Sequence, residues 1–271
     1  MASQERLGQQ VAEAFRCEHG LGVQPLGDLA ALIERTTGHD VAILDAPPDE
    51  HGLTMRDPER GRVFVGVART LNPMRQRSSL AHELAHLVFG DSAQALGERT
   101  PVEIRADAFA RHLLIPVEGL KGFLGAPSEV DSSRLSDVVQ WFLVSPAVAA
   151  IQMRDAGYVE PELATAWMKL STAQLATRFG WSDYYATLQA DSDRLRAPQG
   201  LLARAIRGYE FGVVGAQAIA TLRGRSVEEV LAELDEAGIR QISPEAAEFE
   251  AHELPVVNVD LSGLEDLAGD S

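Results

Sequence analysis

Apolar positions recur at helical spacing over residues 4–16 (Val11, Ala14, Phe15) and 25–37 (Leu26, Leu29, Ala30, Ile33), which predicts two helices at the start of the chain. The pattern then changes. Val41-Ala42-Ile43-Leu44 reads as a short buried strand stopped by Pro47-Pro48, His51–Met55 as a second, and Arg62–Val67 as a third after the turn residues Asp57–Gly61. Joined by hairpins, these predict a small antiparallel sheet. Beyond Asn72-Pro73 the helical period returns over Arg75–Phe89, with Gly90 as a stop, and again over Pro101–Leu114, where Pro101 suits a first turn. Residues 117–125, 133–155 and 163–239 continue as helices, and Leu254-Pro255-Val256-Val257 is the last strand candidate. The expected class is α+β, a small sheet with helices followed by a mainly helical C-terminal region.

Composition sharpens this picture in three ways. The 271 residues carry 24 Lys and Arg against 40 Asp and Glu, a net charge of −16. A surplus of acid argues against a surface that grips nucleic acid or an anionic membrane throughout. The surplus is also local: from Glu228 to Ser271 there are 13 acids and one base, Arg240. That end reads as an acidic tail with a solubilising or autoinhibitory role. No stretch approaches the roughly 18–20 apolar residues that span a bilayer, and Met1–Arg6 has no signal-peptide core. The single cysteine, Cys17, excludes an internal disulfide and reads as a partly buried small hydrophobe. The expectation is a soluble cytoplasmic protein of undetermined oligomeric state.

The chemistry lies in His82-Glu83-Leu84-Ala85-His86, an HExxH motif inside a predicted helix. The i, i+4 spacing puts both imidazoles on one face, where they can reach one metal ion. The flanks Leu80, Ala81, Leu87 and Val88 are apolar, so the histidines and Glu83 sit on a helix where unligated polar groups are costly. Zinc suits neutral imidazole, and Glu83 is placed to take a proton from a zinc-bound water. A catalytic zinc needs a third protein ligand. Asp91, Glu98, Glu103, Asp107 and His112 are the downstream candidates. Glu103, 17 residues after His86, is the best, with Asp107 as the alternative. One of this i, i+4 pair can ligate while the other accepts a histidine N–H. His112 reads as a packed or surface histidine.

The run from Ser79 to Pro116 resembles the ImmA/IrrE family of metallopeptidases. The matching stretches are Leu80–Leu87 and Glu103-Ile104-Arg105-Ala106-Asp107-Ala108-Phe109-Ala110-Arg111-His112-Leu113-Leu114-Ile115-Pro116, with Ala85 where the family usually has Gly. The early strands, Ser145-Pro146 with Val148-Ala149, and Gly157-Tyr158 also fit that layout, so the resemblance covers about residues 25–160. It implies a zincin-like core of gluzincin type, with His82, His86 and Glu103 as zinc ligands and Glu83 as general base. It also implies a helix-turn-helix transcriptional repressor as the protein cut, which would derepress stress-response or mobile-element genes. Tyr158 is a candidate transition-state stabiliser. Val63, Val65 and Val67 mark the strand just before the metal helix, the expected edge for an extended substrate.

Residues 161–240 contain two A-x-x-x-G spacings of helix-turn-helix type, Ala176–Gly180 and Ala220–Gly224, and six Arg against one acid between Arg194 and Arg225. The organisation expected is a metallopeptidase domain over 1–160, a helical regulatory or recognition domain over 161–240, and an acidic tail over 241–271. Protein recognition is preferred to DNA binding for the helical part, because the adjacent acidic tail opposes phosphate contacts. The rival function is a non-proteolytic, metal-containing transcriptional regulator or partner-binding protein acting through that half.

Overall fold

The computed structural model describes residues 2–47, 52–56, 61–91, 100–126 and 130–242. Helices α1 (Ala2–Glu18) and α2 (Leu29–Thr37) precede strands β1 (Asp40–Leu44), β2 (Leu53–Arg56) and β3 (Val63–Ala68). The metal-motif helix α3 (Pro73–Phe89) follows, then α4 (Pro101–Leu114), α5 (Val117–Leu124), α6 (Ser132–Phe142) and α7 (Pro146–Asp155). The C-terminal region holds α8 (Pro161–Trp167), α9 (Thr172–Arg178), α10 (Ser182–Ser192), α11 (Gln199–Glu210), α12 (Ala216–Arg223) and α13 (Val227–Glu236). The α+β class holds, and no single helix among the described residues is long and apolar enough to cross a membrane. The acidic end from residue 243, including Leu254–Val257, lies outside the described residues.

The sheet corrects two expectations. Its order is β1-β3-β2, with β3 antiparallel to β2 but parallel to β1, so it is mixed rather than antiparallel. The hairpin folds β2 onto the far side of β3, which leaves β3 in the middle with both edges paired. Val63, Val65 and Val67 therefore do not lie on a substrate-binding edge. They are buried (2%, 0% and 4% exposed). Val65 and Val67 join Val41 and Ile43 in the core under α3. Among the described residues, the unpaired edge on the site side belongs to β2. The outer edge of β1 is closed by a two-way backbone bridge between Ile43 and Arg196.

The predicted helix over 133–155 is also two helices. Leu143 takes a left-handed conformation (φ 53°), and the Ser145 hydroxyl caps the new helix that Pro146 starts. Proline has no N–H to give to an unbroken helix, so the chain turns there.

One hydrophobic cluster runs from Ala12 in α1 through α2–α7 to Trp167, Leu175, Trp181 and Tyr185, and so continues past residue 160. Trp181 Nε1 donates to the buried Ser136 Oγ of α6 (2.9 Å), and Gln76 Nε2 in α3 donates to the Ser192 carbonyl (2.8 Å). A separate small cluster, Ile219, Ala220, Val230 and Leu234, holds α11–α13 together. Helix α1 lies across α4 so closely that a Cβ on Gly8 would sit 2.4 Å from the Arg105 carbonyl oxygen. The buried Arg16 in α1 donates to the carbonyls of Leu113, Gly22 and Gln24. Cys17, on the other side of that helix, is exposed rather than partly buried.

Candidate metal centre

Helix α3 starts with Pro73 in its first turn and the Asn72 side chain accepting from Arg75 N, and it ends at Gly90 in the left-handed conformation. Its core side is Met74, Leu80, Ala81, Leu84 and Ala85. That stripe fixes the helix's rotation and turns His82 and His86 together toward α4. Helix α4 starts the same way, with Thr100 capping Glu103 N and Pro101 in the first turn, and buries Ala106, Phe109, Ala110 and Leu113. Glu103 in the first turn is thereby held against the two histidines.

Three ligating side chains converge. His82 Nε2 lies 3.0 Å from Glu103 Oε2, His86 Nε2 lies 3.7 Å from Glu103 Oε1, and the two Nε2 atoms are 3.1 Å apart. In a tetrahedral site with bonds of about 2.0–2.1 Å, ligand atoms sit about 3.3 Å from one another. The observed separations bracket that value, so His82, His86 and Glu103 fit a metal ion as they stand. Two neutral imidazoles and one carboxylate leave a fourth position for water or substrate.

The remaining imidazole nitrogens are both held by carboxylates. His82 Nδ1 pairs with Asp107 Oδ1 at 3.0 Å. His86 Nδ1 pairs with Asp91 Oδ2 at 3.2 Å. Asp91 was a candidate third ligand by sequence, but its oxygens are engaged on the far side of the ring and by Arg105, which lies over the Phe89 ring. Each carboxylate keeps the proton on Nδ1 and so leaves Nε2 free for a metal. Burial opposes charge on His82. The hydrogen bond that His82 donates to Asp107 and the charges of Asp107, Glu103 and Glu83 outweigh it, so the metal-free His82 has a raised pKa. A divalent cation would answer the same negative field.

The cause of Asp91's placement is the helix end. Past Gly90 the chain turns back, Asp91 N bonds to the His86 carbonyl (2.9 Å), and the side chain returns to His86. A glycine stop one residue before an acid is the sequence signal for this.

Glu83 is 6% exposed and points toward the sheet. Its Oε2 accepts a hydrogen bond from Thr54 Oγ1 of β2 at 2.6 Å. Tyr158 is elsewhere engaged: it is 8% exposed and its hydroxyl donates to the Gly125 carbonyl at 2.6 Å. His112 is packed rather than ligating. It is 5% exposed, pairs with Gln152 Nε2 through Nδ1 (3.1 Å), and is pushed down to about 4 by burial and by Arg111.

A helix presenting HExxH, a carboxylate from the next helix and a strand beside the glutamate together define a metallopeptidase core. Residues 36–152 match the family model Peptidase_M78, the IrrE N-terminal-like domain, so this part of the chain is similar to that domain. The match runs from the end of α2 into α7. A comparison with curated proteins gave no match.

Proposed function

We infer that the protein is a zinc-dependent endopeptidase that cuts a protein substrate, with a helix-turn-helix transcriptional repressor in the cytoplasm as the substrate class and release of repressed stress-response or mobile-element genes as the outcome. The observation that carries the peptidase reading is the convergence of His82, His86 and Glu103 beside a buried Glu83. Zinc suits two imidazoles and a carboxylate, and when bound it would polarise the peptide carbonyl and make water acidic near neutral pH. Glu83 then takes the proton from the attacking water and delivers it to the leaving nitrogen. Asp107 and Asp91 hold the two imidazoles in the tautomer that presents Nε2. The substrate pairs as an added strand along the outer edge of β2, next to Glu83. The exposed Met55 and Arg56 lie on that strand.

The helical region over 161–240 is read as the part that recognises or regulates, with protein as its partner in preference to DNA. Its arginines support this. Arg194 faces Asp191, Arg196 faces Asp28, Arg204 faces Asp40, and Arg223 and Arg225 share Glu233. Cations paired in this way have less charge to offer phosphates.

Replacing Glu83 with Gln should keep stoichiometric zinc and abolish cleavage. The same variant should hold its substrate in a pull-down from cell extract, and wild-type protein should then cut what was held. A Glu83→Gln protein that still cuts would remove the mechanism. A wild-type protein that binds zinc, cuts nothing so captured and binds duplex DNA tightly would establish the rival regulator.

A further inference from the structure

We propose that β2 is the seat of the general base, with Thr54 as a positioning residue that holds Glu83 in its working rotamer and Gly52 as the gap that lets it fit. This inference rests on the peptidase reading above. Two independent observations carry it. Thr54 Oγ1 donates to Glu83 Oε2 at 2.6 Å, a short, charge-assisted hydrogen bond between the sheet edge and the motif helix. Two residues earlier, a Cβ on Gly52 would lie 2.4 Å from Glu83 Cγ, 2.5 Å from Oε1 and 2.6 Å from Cδ. Side chains at i and i+2 of a strand point to the same face. That face carries no side chain at Gly52, the residue just before β2, and a hydroxyl at Thr54 within it. Opposite Thr54 in the register stands Val65, which is buried in the core under α3, so the pair faces the helix.

The geometry assigns each oxygen a place. With Oε2 held by Thr54, Oε1 is left to meet the proton it must move. Glutamate has three side-chain torsions, and a carboxylate that must meet water and then the leaving nitrogen works only from a narrow range of them. Because β2 is also the outermost strand of the sheet on this side among the described residues, a peptide that adds to it rigidifies the strand carrying Thr54. Substrate docking and alignment of the base thus involve the same four-residue strand.

The test compares Thr54→Val, which keeps shape and loses the hydroxyl, with Thr54→Ser, which keeps the hydroxyl. The protein is zinc-loaded and the substrate is the one captured by Glu83→Gln. Loss of one hydrogen bond to a charged group corresponds to a fall of about 10- to 100-fold in kcat for Thr54→Val. Zinc content should equal wild type and KM should stay within about 2-fold. Thr54→Ser should recover kcat to within about 3-fold of wild type. Gly52→Ala should lower kcat too, since the added methyl displaces Glu83 rather than backbone. A second arm needs no activity: thermal melts of metal-free wild type, Thr54→Val, Glu83→Ala and the double variant. Thr54→Val should lower Tm in the wild-type background and leave it unchanged when Glu83 is already Ala. A wild-type kcat in Thr54→Val, a loss confined to KM or to zinc, or strictly additive melting shifts would overturn the assignment. A wild-type protein that cuts nothing would instead overturn the peptidase reading, and the melting cycle would still show whether Thr54 holds Glu83.

Discussion

The region around α3 and α4 and the region of α11–α13 use charge in opposite ways. At the metal centre, charged and polar side chains are aimed inward and fixed by neighbours: Asp107 on His82, Asp91 on His86, Arg105 on Asp91, Thr54 on Glu83. They converge because both helices are locked by a large core that includes the fully buried Leu84, Phe109 and Leu113. In α11–α13 four of the described residues form the buried cluster, while Phe211 (61% exposed) and Val213 (80%) face outward. There Arg223, Arg225 and Glu233 neutralise one another on the surface. A precise site requires a scaffold that can afford uncompensated negative charge until a cation arrives; a surface module with a small core balances its charge locally.

The strongest way to break this contrast is Glu103→Ala. It should abolish retention of one equivalent of zinc through gel filtration, measured by metal analysis, since two histidines alone make an incomplete site. The melting of the protein should change little without metal. Zinc content that survives the substitution would move the third ligand to Asp107.

A second test reads the buried side of the same scaffold. His112 is held near 4 in the fold, against an ordinary value of 6.5, by burial and by Arg111. Its neutral form is the native one, so the unfolded chain takes up the proton first as pH falls. Stability is therefore complete above pH 6.5 and lost between 6.5 and 4, by up to about 3 kcal/mol. Chemical denaturation of metal-free protein across that window should show a shallower loss in His112→Gln, whose amide oxygen can still accept from Gln152.

Asp91→Asn should be milder. Removing a carboxylate that orients a metal-binding histidine costs about 10- to 100-fold in metal affinity, which chelator competition measures. Asp107→Asn should cost a similar amount. Unequal losses would show that one imidazole depends on its carboxylate more than the other.

These residues also mark where the sequence was readable. The i, i+4 rule places His82 with His86 and Glu103 with Asp107, because helix geometry is local and the apolar stripes of α3 and α4 state which face turns inward. The role of Asp91 depends on a chain reversal at Gly90, which periodicity does not register. The sheet was readable as three strands and not as an order. Val41–Leu44 and Val63–Val67 are equally apolar, and nothing local says that β2 passes to the far side of β3 and leaves β1 parallel to it. The substrate edge was misplaced for that reason. The basic stretch from Arg194 to Arg225 was visible as composition, but its acids, Asp28, Asp40 and Glu233, come from other parts of the chain.

The smallest expected effect tests the surface side of the comparison. Glu233 accepts from both Arg223 and Arg225, and its side chain is 40% exposed, as Arg225 is at 38%. Exposed pairs of this kind contribute about 0–1 kcal/mol, and salt screens them. Glu233→Gln should therefore lower stability by less than about 1 kcal/mol in chemical denaturation, with the difference shrinking further at high salt. Zinc content and kcat should equal wild type, because among the described residues Glu233 pairs with Arg223 and Arg225 and not with α3 or α4. The freed Arg223 and Arg225 should raise affinity for non-specific duplex DNA slightly at low salt and not at physiological salt. A large gain at physiological salt would mean that Glu233 masks a nucleic-acid surface, and the preference for a protein partner would then reverse.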